Sequence, residues 1–461
     1  MIQVSEAESL ASRISGEVFL PGQEGFDQER TGYQLAVRHS PDVIVAATTA
    51  QDVVAAVDFA VGHDRPVGVQ ATGHGVSNAL DGGVLVSTRR MSDVRVDTGA
   101  GTVRLGAGAR WEQVIPEAAR HGLAPLDGSA PHIGAVSYVL GGGLGLLGRT
   151  YGWAADHVRR MEVVTADGRL RQVTPDSEPD LFWALLGGRD NFGVVTALEI
   201  GLLPVTRLYG GGMYFDTEHV ERLLHTWTEW TATVPEAMNS SVALFRMPDA
   251  PMLPAPLRGR YVAHLRIAFT GEPEDGERLI APLRAVGPPL VEKVTDMPYT
   301  KSPTIHNDLP RSMPWYADTA MLDDLTASDT SALLHAAGPD APVPCILELR
   351  HLGGALARRN GVPNAVGHRD ARFMFYILSP LGEPFDAEVV APVQQKALTA
   401  VRSRTTGRLL NFMGIGQNAG PEQVCSAYDD DAHRRLVRLK AVYDPANVFR
   451  ANYNLPPSPS A

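Results

Sequence analysis

The chain has 461 residues, 44% hydrophobic and 20% charged, with 41 basic against 52 acidic side chains and a net charge of −11. That length supports two or three domains with large cores, and the acidic balance argues against a nucleic-acid or anionic-membrane surface. Two cysteines, Cys345 and Cys425, cannot build a disulfide framework or a zinc cage. No apolar run reaches membrane-spanning length, and the opening MIQVSEAESLASRISGE lacks the basic and apolar regions of a secretion signal, so a cytoplasmic protein with no membrane partner is expected.

Residues 41–60 predict strand, turn and helix, with Thr49 as N-cap and helical apolar spacing through Val53, Val54, Val57 and Ala60. Val67–Val69 is a short strand entering the loop Ala71-Thr72-Gly73-His74-Gly75. Segments 82–88 and 94–108 read as strands, the latter turning at Gly99–Gly101, and 111–122 is a helix closed by Gly122. A second glycine-rich loop follows, Leu140-Gly141-Gly142-Gly143-Leu144-Gly145. Beyond it come a hairpin over 158–173 turning at Asp167-Gly168, a short helix over 180–188 and a strand over 192–205. From about 206 to 404 the strands are longer and antiparallel in character, with helices such as 218–234 between them and a proline-rich loop at 247–259. The stretch 405–461 ends in a helix over 433–443 and an extended tail whose last few residues are expected to be disordered. No internal repeat is present.

Glycine admits positive φ and lets backbone N–H groups approach an anion with no Cβ in the way. Two such loops in one region suggest a bound diphosphate, and a histidine between glycines is a nucleophilic nitrogen held against that ligand. The pair reads as the cradle of a flavin adenine dinucleotide, with His74 placed to bond the flavin covalently. A rival is the fit of Gly143–Gly148 to GxGxxG, with Asp167 near the acidic position of a nicotinamide-dinucleotide site. That motif needs a strand before it and a helix after it. Here the glycines follow a loop rich in Pro, Ser and His, and Thr150-Tyr151-Gly152 interrupts any helix. A glycine turn without ligand is the plainest alternative. No second ligating side chain stands at metal spacing beside His74, so no metal is expected.

In Cys345–His351 strand alternation puts Glu348 and Arg350 on one face and Leu347, Leu349 and His351 on the other. This is either a surface ion pair or a polar wall over a cofactor. In the second case Glu348 is a candidate general base, its pKa raised by desolvation and lowered by Arg350.

Several linked motifs carry a family resemblance: GHG around His74, DGG at 81–83, LGGGLG at 140–145, YGWAADHV at 151–158, NFGVVTALE from Asn191, ELRHLGGA at 348–355, and the C-terminal RLVRLKAVYDPANVFRANYNLPP. Over nearly its whole length the chain resembles the berberine-bridge-enzyme-like FAD-linked oxidases, which have the vanillyl-alcohol-oxidase / p-cresol-methylhydroxylase-type fold. The resemblance implies an α+β protein. A two-part FAD-binding domain (1–205 completed by 405–461) would flank a substrate domain (206–404) with a large antiparallel sheet covered by helices. It implies hydride removal from a small organic metabolite, reoxidation by O2 and a tailoring role in secondary metabolism. A dehydrogenase with another acceptor and a non-catalytic flavin-binding protein are the alternatives.

By motif position the cofactor residues would be Ala71, Thr72, Gly73, His74, Gly75, Ser77, Asn78, Gly134, Ser137, Gly141, Gly142, Gly143, Gly145, Asn191, Gly193, Val195, Asn411, Tyr453 and Asn454. Glu348, Arg350 and Tyr376 would face substrate, and Gly134–Tyr138 would shape the space for O2. Three departures qualify the transfer. Ala130 in Gly128-Ser129-Ala130-Pro131 replaces the cysteine that gives many members a second flavin bond, so attachment through His74 alone is expected. Gln70-Ala71-Thr72 stands for the commoner Arg-Gly-Gly, and Gly75 for the frequent Ser. Leu409-Leu410-Asn411-Phe412 lacks the base-like tyrosine, which leaves Glu348 or Tyr376 as base.

Overall fold

In a computed structural model, residues 2–359 and 361–458 are described. The expectation of disorder in the last few residues falls largely outside them. Near the N-terminus, strands Val43–Ala46, Val84–Ser87 and Val67–Gln70 run parallel, and Glu17–Phe19 adds an antiparallel edge. The first two central strands are buried along their whole length, as the near-continuous Val, Ile and Leu sequences of a two-faced parallel sheet require. Helix Ala50–Gly62 makes the crossover. Thr49 caps it as predicted, while the buried Asp52 accepts from Ser15, Gly16 and Thr48 backbone N–H groups and ties the N-terminal segment to the same corner.

A five-stranded antiparallel sheet follows, with Val194–Gly201 between Thr102–Gly106 and Val158–Val164. The short helix Pro179–Gly188 arises where predicted, and its last turn is broken at Leu186 and Gly187. The glycines of GxGxxG come after helix Ala135–Leu140 and not after a strand, so the dinucleotide fingerprint lacks its framework.

The eight-stranded antiparallel sheet draws its strands from Arg207 to Gly407, three residues past the boundary expected at 404, because Thr405–Gly407 pairs with Trp315–Leu322. One face carries Met213, Val242, Leu265, Leu347, Phe375 and their neighbours, packed against helices Val220–Thr231, Pro273–Arg284, Ala327–Ala337 and Ala387–Ala400. Period two then forces the alternate residues onto the opposite face. On that face stand Ser241, His264, Arg266, Glu348, Arg350 and Tyr376, a polar surface turned inward. Among the described residues no helix is long and apolar enough to cross a membrane, and no cluster of His, Cys, Asp or Glu could hold a metal ion.

Candidate active site

The first glycine loop leaves strand Val67–Gln70 and lies against residues 32–34, with Tyr33 and Gln34 N–H groups donating to Thr72 and Gly73 carbonyls. Gly73 has φ +70°, and a Cβ there would fall 2.5 Å from Gly32 Cα, so the close crossing requires glycine. Ser77 Oγ donates to the Gly414 carbonyl at 2.6 Å, Ser77 N–H donates to Asn452 Oδ1 at 2.9 Å, and Asn78 Nδ2 donates to the Ala419 carbonyl at 3.0 Å. Asn452 returns a bond to the Gly75 carbonyl. The loop is thus stitched to the C-terminal part of the chain.

His74 sits in the middle of this loop. Its Nδ1 lies 2.8 Å from Thr72 Oγ1, and its ring stacks on Tyr33 at 3.9 Å between centroids, with His132 5.1 Å away. Burial, with His132 adding to it, pushes the His74 pKa down to about 3, so the imidazole is neutral at physiological pH. Its Nε2 is buried and has no hydrogen-bond partner. The second loop begins where helix Ala135–Leu140 ends. Gly134 N–H donates to Thr72 Oγ1 at 3.3 Å, which joins the two loops, and Ser137 Oγ bonds the Gly134 carbonyl. A Cβ on Gly141 would lie 1.8 Å from Asn411 Oδ1, while Asn411 Nδ2 donates to the Tyr138 carbonyl. Asn411 therefore braces the second loop.

Between the loops lies a cavity lined by Ala71, Ser137, Arg189, Gly193, Val195 and Asn452. Arg189 makes no ion pair among the described residues. Its guanidinium packs over Tyr453 at 5.5 Å, its Nη1 is buried without a partner, and that atom lies 3.6 Å from where a Gly75 side chain would begin. Asn191, expected to reach the ligand, spends both amide hydrogens on the Gly188 and Tyr453 carbonyls and accepts from Leu455 N–H, so it holds the wall in place. Tyr453 is buried, its hydroxyl bonded to the Met413 carbonyl. Gly145 lines a different cavity.

That second cavity lies under the polar face of the large sheet and is lined by Gly145, Arg149, Ser241, Arg266, His306 and Arg350. Glu348 is no surface residue: at 6% exposure it accepts from Arg266 Nη1 at 2.5 Å and Arg350 Nη2 at 3.0 Å. Burial pushes its pKa up, but Arg350 and Arg266 together outweigh burial and hold it below the usual carboxylate range. Tyr376 stands directly across from Glu348 in the strand register, and burial beside that carboxylate drives its pKa upward. Phe412, in place of the family's tyrosine, packs edge-on against Tyr376 at 5.2 Å and beneath the Arg350 guanidinium at 5.0 Å.

Sequence reasoning missed Arg266, His306, Arg189, Tyr33 and His132. Arg266 had a signal, since His264 and Arg266 are the two basic residues on one face of the apolar strand Tyr261–Phe269. His306, on the four-residue helix Pro303–His306, had none.

Eight unpartnered buried polar atoms belong to residues at or around these two cavities. Gln70 Oε1, His74 Nε2, Asn78 Oδ1, Arg189 Nη1 and Asn454 Oδ1 belong to the first glycine loop and the segments around it. Ser241 Oγ, His306 Nε2 and Arg350 Nε belong to the sheet cavity. Each such atom costs about 1–3 kcal/mol without a partner, so their clustering fits sites built for polar ligands. The residues of the glycine loops fit a dinucleotide.

The comparisons agree. Residues 41–174 match the family model described as FAD binding domain, and residues 420–456 match the one described as berberine and berberine like. The chain is an oxidoreductase with an FAD-binding domain and a berberine-like C-terminal segment, similar to the berberine-bridge-like FAD-linked oxidoreductases. Among its relatives, (R)-6-hydroxynicotine oxidase of Paenarthrobacter nicotinovorans is 26% identical over 97% of this chain and 98% of its own length. An FAD-linked oxidoreductase of Dictyostelium discoideum is 26% identical over 96% and 95%. The structure of 6-hydroxy-D-nicotine oxidase from Arthrobacter nicotinovorans superposes with a TM-score of 0.83 at 25% identity, covering 96% of this chain and 98% of that one. The chain shares the vanillyl-alcohol-oxidase-type fold of these FAD-linked oxidoreductases.

The buried histidines give this oxidoreductase a defined acid response. Burial pushes His39 to about 4 and His351 to about 2, and His264 and His306 well below their ordinary value. An unfolded histidine binds a proton below about pH 6.5, whereas these do not while folded, so their stabilisation is complete above that pH and is lost as pH falls. Each costs about 1.4 kcal/mol per pH unit in that window. Asp127, buried against the Tyr299 hydroxyl and pushed up to about 7, acts oppositely and favours the folded state as pH falls toward 4. Burial raises Asp190 and Asp318 in the same direction, and the four histidines outnumber these three carboxyls. Denaturant unfolding at pH 7.5, 6.5 and 5.5 should therefore show falling midpoints, and a flat profile would contradict the neutral burial of these rings.

Proposed function

We propose that this chain is a flavin-dependent oxidase of the cytoplasm that holds FAD through one covalent bond at His74. It removes a hydride from a small organic metabolite and is reoxidised by O2, in a tailoring step of secondary metabolism. The observation that carries the reading is the neutral, half-buried His74 ring with a buried and unpartnered Nε2, set in the first glycine loop near a cavity that holds an unpaired guanidinium. Bound flavin supplies the hydride acceptor. In this reading the loops at Gly73, Gly75 and Gly141–Gly143 present backbone N–H groups to the diphosphate, and Arg189 answers its charge in place of the arginine that Gln70 replaces. Ala130, where a cysteine would make a second bond, leaves His74 as the single anchor.

Glu348, Arg350 and Tyr376 form the substrate side. At neutral pH Glu348 is ionised and can accept a proton, whereas Tyr376 keeps its own. A carboxylate held this low takes a proton from a group that becomes acidic as hydride leaves, such as an alcohol turning into a carbonyl. Glu348→Gln should slow flavin reduction about 10²–10⁴-fold while leaving FAD bound. Unchanged reduction would remove Glu348 as base. The oxidase reading itself is tested by screening small alcohols and sugars for H2O2 release, alongside turnover with a dye acceptor. Dye turnover without peroxide would make the enzyme a dehydrogenase, and failure of any donor to bleach the flavin anaerobically would make it a binding protein.

A further inference from the structure

The sheet cavity carries more positive charge than its own carboxylate answers. Arg266 and Arg350, with side chains 9% and 12% exposed, share the single carboxylate of Glu348. Guanidinium groups stay charged even when buried, so one positive charge in this wall lacks a counter-ion. Asp308 lies near enough to influence Arg350, but it is solvent-exposed and pairs with no cation among the described residues. Arg149, at the other side of the cavity, donates to the carbonyls of Met238 and Leu352 and to Asn239 through its backbone N–H.

The hydrogen-bonding atoms left open point the same way. Arg350 Nε, Ser241 Oγ and His306 Nε2 are buried and unpartnered, and all three residues line this space. Arg350 Nε can only donate, and Ser241 Oγ can donate. Ser241 pairs with Arg350 in the strand register, which sets the two side by side on the inner face. A neutral polyol would fill these bonds but leave the charge, and a cation would add to it. A carboxylate meets both demands, because a guanidinium and a hydroxyl together match its two oxygens.

We propose that the substrate of this enzyme carries a carboxylate, bound in the sheet cavity by Arg350 and Ser241 and screened by Arg266. This rests on the reading of the cavity as the substrate site. Leu144, Ile305 and Leu352 line the same cavity and offer apolar contact to the remainder of a small organic acid.

Calorimetric titration of the purified protein with benzoate, phenylacetate and their neutral amides tests this. At least one acid should bind about ten-fold or more tightly than its amide. Arg350→Met should abolish that preference and Ser241→Ala should reduce it. Glu348→Gln, which frees both guanidinium groups, should strengthen acid binding, a gain that general loosening of the fold would not produce. Equal binding of acid and amide, binding of neither, or a preference untouched in Arg350→Met and Ser241→Ala would each overturn the proposal. If Arg350→Met does not fold, the opposite shifts in Ser241→Ala and Glu348→Gln decide. Flavin content is measured on the same samples. A protein without flavin that still prefers the acid keeps this inference and retires the oxidase reading, and a yellow protein without preference does the reverse.

Discussion

Replacing His74 with alanine is expected to move all of the yellow colour from the acid-precipitated pellet to the supernatant. Acid unfolds the protein and dissolves hydrogen bonds and ion pairs, but a carbon–nitrogen bond survives, so the pellet reports covalent attachment alone. The geometry favours this residue for three reasons. Its pKa is pushed down to about 3, which keeps a lone pair available at neutral pH. Thr72 and Tyr33 fix the ring plane. Its Nε2 has nothing else to bond. Because the glycine loops and Arg189 remain, the variant should still bind FAD, losing it only on unfolding or prolonged dialysis. Colour retained in the pellet of His74→Ala would place the bond elsewhere. Colour in the wild-type supernatant would keep the fold but make His74 a contact residue.

The second large effect is expected at Lys440. Its ammonium is fully buried and donates at 2.7 Å each to Asp444 Oδ2 and to the carbonyls of Asn191 and Phe449. Asp444 in turn accepts from Val448 and Phe449 N–H groups. Lys440→Met would leave a buried carboxylate uncompensated and two carbonyls unanswered, which costs about 3–5 kcal/mol. Denaturant unfolding should show that loss, and on the proposed reading of the cavity between the glycine loops it should come with weaker FAD retention, because Asn191 latches the Tyr453 segment. A change below about 1 kcal/mol would show that water or a shifted side chain replaces the ammonium.

Much of this was legible in sequence, and the legible parts share a cause. Thr49 with Asp52, the alternation of Glu348 and Arg350, and the glycine loops are local patterns whose physics acts over a few residues. The motifs that raised the family resemblance were likewise contiguous. What escaped was assembled from distant segments. Nothing in the string ties Arg189 to Gly75, or His306 to Glu348. Asn191 shows the same limit from the other side: its place in the NFG motif says nothing of the Tyr453 carbonyl, 262 residues away, to which its amide donates. The GxGxxG match failed because a letter pattern carries no information about the strand that must precede it.

The stitching of the first glycine loop to the C-terminal segment also sets an order of events during synthesis. Ser77 and Asn452, which meet at 2.9 Å, are 375 residues apart. At about 5–20 residues per second, roughly 20–75 s separate their emergence. The N-terminal parallel sheet has its three parallel strands early, but its Val67 N–H waits for the Val448 carbonyl, and the first glycine loop lacks its C-terminal partners over that interval. A chain stalled before residue 452 therefore carries every glycine of the first two loops without the partner that closes them.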